Sequence, residues 1–180
     1  MSKATQNIVR RSTHASTSHK LDRYDRQILA SLQQNGGLSN LELAERVGLS
    51  PSPCSRRVRA LEEAGLILGR TTLLNQKALG LDLTVLLHIS MDRHTPERFE
   101  HFERTVSGFA EVQYCYLVTG QDADYQLKVV VPDMDAYQQF LLGKITRIDG
   151  VSGVHSSFVM RKVIDSTALP LAYLTNGGNG

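Results

Sequence analysis

Three arginines fall within four consecutive positions of the chain, at Arg56, Arg57 and Arg59. A guanidinium donates paired hydrogen bonds to guanine or to phosphate oxygens, so this cluster fits a nucleic acid. At about 100° per residue of helix, Ser52, Arg56 and Arg59 share one side, whereas Arg57 lies nearer the apolar stripe and is placed for phosphate. The alternative interpretation is a solvated basic helix face. The candidate DNA contacts are Ser50, Ser52, Ser55, Arg56, Arg57 and Arg59.

Capping signals predict three helices that position this cluster, over residues 22–34, 39–47 and 50–64. Asp22 is a typical N-cap, Ser39 and Glu42 form a capping box, and Pro51 occupies the favoured first position of the third helix. The free amides at the start of that helix also suit phosphate.

The third helix carries an apolar stripe of Cys54, Val58 and Leu61, which should pack on the first two helices. A short capped helix, a turn at Gly48 and a longer basic helix make a helix-turn-helix. Residues 66–75 are predicted as a short strand or hairpin. The sequence therefore predicts an N-terminal winged helix-turn-helix domain over residues 21–75.

Charge is unevenly distributed along the chain. Residues 1–82 hold 12 Lys and Arg against 7 Asp and Glu, whereas residues 83–180 hold 8 against 11. This asymmetry indicates that the front half meets a polyanion, although so small a skew also arises by chance. Residues 1–20 are polar, basic and aperiodic, which predicts a disordered tail, with a basic DNA-contacting arm as the alternative.

Several classes of protein are disfavoured. The chain has no apolar run of the roughly 18 residues that a membrane helix needs, and no secretory signal, so we expect a cytoplasmic protein. Cys54 and Cys115 lack CxxC spacing, which argues against a disulfide framework or a zinc site. No nucleophile elbow, phosphate loop or HExxH motif is present. We expect no enzyme activity, no metal and no cofactor.

Residues 83–164 alternate between strand and helix patterns, with strands over 83–91, 111–119, 125–131 and 151–164 and helices over 96–107 and after Asp133. One face of the second strand is predicted to carry Val112, Tyr114, Tyr116 and Val118. The second helix is predicted to bury Met134, Tyr137, Leu141, Ile145 and Ile148. This order is βαββαβ, a ferredoxin-like arrangement in an α+β protein. Because its helices cover one sheet face, an oligomer would cover the other.

The chain resembles the leucine-responsive regulator/asparagine regulator (Lrp/AsnC) family over roughly residues 21–173. The matching motifs are LDRYDRQIL at 21–29, LA at 43–44, VGLSPSPCSRRV at 47–58, LEEAGLI at 61–67, VTG at 118–120, DY at 124–125, SFV at 157–159 and STALPL at 166–171. The resemblance implies a transcription regulator that dimerises, often assembles to octamers, and binds an amino acid or related metabolite between subunits.

The resemblance also indicates where the effector binds. Gly120 is expected to allow close backbone approach, and Asp122 or Asp124 to hold an amino group; ordinary turn chemistry is the alternative for both carboxylates. Further candidates are Thr119, Tyr125, Ser156 and Ser157. Three residues, 121–123, separate Gly120 from the Asp-Tyr pair here, whereas two are common in the family, so the loop is longer by one residue.

These observations divide the chain into a tail (1–20), a DNA-binding domain (21–75), a linker (76–82), an effector-binding and oligomerisation domain (83–173) and a flexible end (174–180). The expected partners are double-stranded DNA, a small-molecule effector and further copies of the chain. The competing interpretation is a ligand-independent architectural DNA-binding protein, which would bind mainly through phosphates.

Overall fold

The computed structural model describes residues 20–120 and 123–174. These residues form two compact units, one of residues 20–73 with 164–174 and the other of residues 74–163. The predicted tail at 1–20 lies outside the described residues except for its last position. The predicted flexible end does so from residue 175 onwards.

The first unit contains helices α1 (Arg23–Gln34), α2 (Asn40–Val47) and α3 (Pro51–Glu63). Asp22 and Asp25 cap the start of α1 reciprocally, and Ser39 and Glu42 do the same for α2. Pro51 opens α3. The predicted helix starts are therefore confirmed, because each was encoded by a local side-chain-to-backbone bond or a fixed φ.

The predicted stripe of α3 lies in the core of this unit. Cys54 and Leu61 are fully buried, and Val58 packs against them at the margin. Burial raises the pKa of the Cys54 thiol. Their partners on the other helices are Ile28, Leu43, Ala44 and Val47.

The prediction of a strand or hairpin at residues 66–75 is wrong, since the structure describes these residues without one. The amides of Leu66 and Ile67 instead donate to the carbonyl of Leu61 at the end of α3. Leu68, Leu73 and Leu74 are 71–80% exposed. A strand needs a neighbouring strand to pair its backbone groups, and in the described part of this unit no strand is present.

The second unit runs β1 (Leu83–Met91), α4 (Pro96–Val106), β2 (Val112–Leu117), β3 (Tyr125–Val131), α5 (Met134–Gly143) and β4 (Val151–Phe158). The sheet order is β2-β3-β1-β4 with antiparallel neighbours, which confirms the βαββαβ prediction. Both helices bury one sheet face; this core includes Val85, Leu87, Phe102, Leu127 and Phe140.

The opposite sheet face carries more polar side chains. The strand registers place Leu86, His88, Gln126, Lys128, Tyr114, Tyr116, His155 and Ser157 on it. Gln126 Nε2 and His88 Nε2 lie 3.1 Å apart, and the Tyr114 and Tyr116 rings stack at 4.5 Å between centroids. We call this surface the open sheet face.

Three details of the second unit differ from the predictions. A bulge at Gln113 turns Val112 towards the helices, so Val112 does not share a face with Tyr114. Met134 is 52% exposed, and Phe140 is buried in α5 instead. β4 ends at Phe158, short of residue 164, because its partner strand β1 begins at Leu83 and pairing beyond Thr84 stops.

Candidate DNA-binding and effector-binding sites

The outward side of α3 is polar and basic. Ser52, Arg56 and Arg59 are exposed there, while Cys54 and Leu61 on the opposite side are fully buried. Ser55 is exposed at the edge of this side. Helix α3 therefore presents the predicted donors to solvent because its apolar stripe is held in the core.

The turn between α2 and α3 fixes the direction of α3. Gly48 ends α2 with φ of 71°, a left-handed conformation that glycine adopts without steric cost, and the Leu49 amide then donates to the Ala44 carbonyl. The Asn40 side-chain amide donates to the carbonyl of Pro51 at 2.8 Å, which links the two helix starts. Sequence reasoning missed Asn40, because this contact joins positions eleven residues apart.

Arg57 points differently from its neighbours. Its Nη1 lies 2.8 Å from both Asp25 Oδ1 and Asp22 Oδ2, and its guanidinium lies 5.4 Å from the centroid of the Tyr24 ring. The hydrogen bond to Asp25 raises the pKa of Arg57 further above its usual range. Because these groups belong to α1, the geometry favours a role for Arg57 in helix packing over the predicted phosphate contact.

The predicted effector residues at the β2–β3 turn lie at one end of the sheet. Thr119 and Gly120 are exposed, and Asp122 lies outside the described residues. Asp124 is half-buried: Oδ2 accepts from the Met91 amide at 2.7 Å, and Oδ1 lies 2.8 Å from His94 Nε2. Asp124 therefore anchors the turn to the end of β1.

The remaining effector candidates do not share that location. Tyr125 is buried beneath α4, where its hydroxyl donates to Glu103 at 2.9 Å and burial raises its pKa. Ser156 contacts the Tyr137 hydroxyl on the helix-covered face, whereas Ser157 lies on the open sheet face. Adjacent strand residues point to opposite faces, so Ser156 and Ser157 cannot line one pocket within this unit.

A cleft of about 240 Å³ runs along one flank of α3. Its polar lining includes Asn40, Ser55, Arg59, Glu62 and Arg70. Sequence reasoning missed Glu62, although its seven-residue spacing from Ser55 places both on one flank. Nothing in the sequence indicated Arg70, which is brought there by the path of the chain after α3.

In residues 20–120 and 123–174, no helix combines the length and apolar composition required to cross a membrane. The same residues contain no group of three or more His, Cys, Asp and Glu arranged to hold a metal ion.

Two family models match the two parts of the chain. Residues 21–67 match a winged helix-turn-helix DNA-binding model, and residues 84–169 match the Lrp/AsnC ligand binding domain. A DNA-binding domain joined to a ligand-binding domain defines the class: the protein is a ligand-responsive, DNA-binding transcription regulator.

Individual relatives agree with this class. The leucine-responsive regulatory protein of Escherichia coli K12 is 47% identical over 149 residues, which cover 83% of this chain and 90% of that protein. A Neisseria meningitidis transcriptional regulator in complex with L-Met has a TM-score of 0.82 at 39% identity, covering 86% of this chain and 99% of that one. An AsnC family regulator from Agrobacterium tumefaciens has a TM-score of 0.81 at 40% identity, covering 86% and 100%.

The chain belongs to the Lrp/AsnC family of transcription regulators. The relatives named above are regulators, not enzymes.

Proposed function

We propose that α3 enters the major groove of double-stranded DNA, with Ser52, Arg56 and Arg59 facing base edges and Ser50 and Ser55 beside the backbone. The observation that carries this proposal is the exposure of Arg56 and Arg59 on the side of α3 opposite the fully buried Cys54 and Leu61. Within residues 20–120 and 123–174 neither guanidinium belongs to an ion pair, in contrast to Arg57. Both are therefore available for guanine.

The same unit acts twice in a homodimer. The helices leave the open sheet face uncovered, and a second copy covers it, packing on Leu86 and the two stacked tyrosines that lie among its polar side chains. A two-fold dimer presents two copies of α3 to successive major grooves of a near-palindromic site, about 34 Å apart. Further assembly, to an octamer, rests on the family resemblance.

The effector is an amino acid or a related metabolite, because one relative is named leucine-responsive and another is in complex with L-Met. The β2–β3 turn is the proposed site. Thr119, Gly120 and Asp122 contact the ligand there, and Asp124 holds the turn in place. Tyr125 and Ser156 are not part of this site, since their hydroxyls form hydrogen bonds on the helix-covered face of the sheet.

The effector shifts assembly or DNA affinity by binding one state of the protein more tightly than the other. This function needs no catalysis and no cofactor, and it is exercised in the cytoplasm.

The test is binding to the DNA upstream of the protein's own gene, compared with a scrambled fragment, with each of the twenty amino acids in turn. Arg56→Ala and Arg59→Ala should each weaken operator binding by roughly tenfold to a hundredfold, since one bidentate arginine–guanine pair is worth about 1–3 kcal/mol. Arg93→Ala with Arg104→Ala removes the charge of two arginines from the second unit and is the matched control for the double variant.

Unchanged operator affinity in the Arg56→Ala, Arg59→Ala double variant would contradict the proposed recognition face. A response to one amino acid, lost in Asp122→Asn, would support the effector site. The architectural alternative predicts equal affinity for operator and scrambled DNA, a steep dependence on salt, and no response to any amino acid.

A further inference from the structure

The cleft beside α3 combines a basic rim with one acidic side chain. Ser55, Arg59 and Glu62 occupy successive turns of the same flank of α3, and Arg70 faces them from the chain that follows the helix. Two arginines against one glutamate leave the rim with an excess of positive charge. The cleft is partly open to solvent and adjoins the side of α3 that carries Arg56.

Glu62 and Arg70 form an ion pair across this cleft. Arg70 Nη2 lies 3.8 Å from Glu62 Oε1, and the two side chains are 45% and 47% exposed. So long and exposed a pair is weakly held in water. Arg70 also lies in a stretch described without helix or strand, so that reorienting it disrupts no regular backbone hydrogen bonding.

We propose that the cleft is a phosphate-binding site for the DNA backbone, that Arg70 is its principal ligand, and that Glu62 competes with the phosphate for Arg70. This inference rests on the proposed placement of α3 in the major groove, and it adds residues that touch the backbone and not the bases. When DNA binds, the Arg70 guanidinium leaves the Glu62 carboxylate and pairs with a backbone phosphate. This phosphate lies beside Arg59 and the Ser55 hydroxyl. Glu62 thereby lowers DNA affinity and limits binding to unrelated sequences.

Phosphate is the chemistry that fits this rim. A guanidinium pairs with a phosphate through two parallel N–H donors, and a neighbouring hydroxyl supplies a third. The Asn40 amide is already committed to the Pro51 carbonyl, so it shapes the end of the cleft instead of binding the ligand. In an intact duplex the negative charge lies on the backbone phosphates, and with α3 in the major groove such phosphates lie beside the helix.

The experiment is a double-mutant cycle on the intact protein: Glu62→Gln, Arg70→Ala, both together, and Arg70→Lys. Affinity for the operator and for a scrambled duplex is measured by fluorescence anisotropy over a range of salt concentrations. Arg70→Ala should weaken both duplexes by the same factor, roughly threefold to tenfold, and lower the slope of log K against log salt by about 0.9 for each bound chain. Arg70→Lys should keep the slope.

Glu62→Gln should tighten both duplexes by about twofold to fivefold, and this gain should disappear in the Arg70→Ala background. Two results would overturn the proposal: an unchanged salt slope in Arg70→Ala, or an equal gain from Glu62→Gln with and without Arg70. A failure of this proposal can be distinguished from a failure of the proposed base contacts. Arg59→Ala tests preference for the operator, whereas Arg70→Ala should leave the ratio of operator affinity to scrambled-duplex affinity unchanged.

Discussion

Arg57 Nη1 donates to Asp25 Oδ1 at 2.8 Å and so links α3 to the first turn of α1. The Asp25 side chain is only 6% exposed, and Asp22 shares the same guanidinium. Burying a carboxylate without a partner costs free energy, so Arg57 stabilises the packing of the helix that carries the DNA contacts. Two adjacent arginines on α3 therefore have different tasks.

Arg57→Ala should lower the free energy of unfolding by about 2–3 kcal/mol, less than the 3–5 kcal/mol typical of a fully buried pair because the Arg57 side chain is 32% exposed. Arg56→Ala should change it by less than about 0.5 kcal/mol. Urea unfolding measures both, and operator binding at low temperature measures the DNA effect. Wild-type stability with lost DNA affinity in Arg57→Ala would instead make Arg57 a phosphate ligand.

The N-cap of α1 makes stability depend on pH. The hydrogen bond from the Asp25 amide, helped by Arg57, lowers the pKa of Asp22 below its usual value of 3.8. A carboxylate with a lowered folded pKa contributes stability that is complete above its unfolded pKa and is lost as pH falls through the folded one. Asp22→Asn keeps an acceptor at the cap but removes this titration. Its melting temperature should therefore fall less between pH 5 and pH 3 than that of the wild type, and parallel curves would contradict the assignment.

Local signals predicted the helices and strands, and hence their order along the chain, because each element is encoded within a few residues. The Ser39–Glu42 capping box and the Cys54–Leu61 stripe each lie within eight positions. The bulge at Gln113 was not predictable from alternation, since the sequence of β2 alone does not reveal which of its own residues is left without a partner on β3. The leucines of residues 66–75 gave a pattern typical of a strand, but the described part of this unit contains no second strand with which it could pair.

The candidate sites were predicted to different extents. On α3, helical angle alone placed Ser52, Arg56 and Arg59 on the exposed side, but the Asp25 partner of Arg57 lies thirty-two residues away and could not be found by spacing. At the effector turn, Gly120 and Asp124 lie between β2 and β3 as predicted, and their contact with an effector stays a prediction. The same prediction grouped Ser156 with Ser157, although strand geometry separates the two.

Tyr125 and Asp124 are adjacent in sequence and should respond differently to substitution. Tyr125→Phe removes the hydrogen bond to Glu103 of α4, on the helix-covered face of the sheet. It should therefore lower the free energy of unfolding by about 1 kcal/mol and leave effector affinity unchanged. Asp124→Asn weakens the bonds to the Met91 amide and His94, which should loosen the β2–β3 turn and reduce effector affinity. Calorimetric titration with the responding amino acid measures both. Reduced affinity in Tyr125→Phe would place the ligand against Tyr125 after all.

The Gln33 side chain of α1 contacts the described C-terminal segment, residues 164–174, at Leu169. Gln33 Nε2 donates to the Leu169 carbonyl at 3.2 Å, and its Oε1 accepts from the Leu169 amide at 2.6 Å, so one carboxamide satisfies both backbone groups. In Gln33→Ala the amide loses its acceptor, and its hydrogen exchange should accelerate by roughly tenfold for net bond energies near 1 kcal/mol each. Gln34→Ala makes the same change of residue type on the exposed neighbour and should leave exchange at Leu169 unchanged. Exchange measured by mass spectrometry on a peptide covering residues 164–172 separates the two variants. Equal rates in both would mean that the segment is held to the first unit by contacts other than the Gln33 carboxamide.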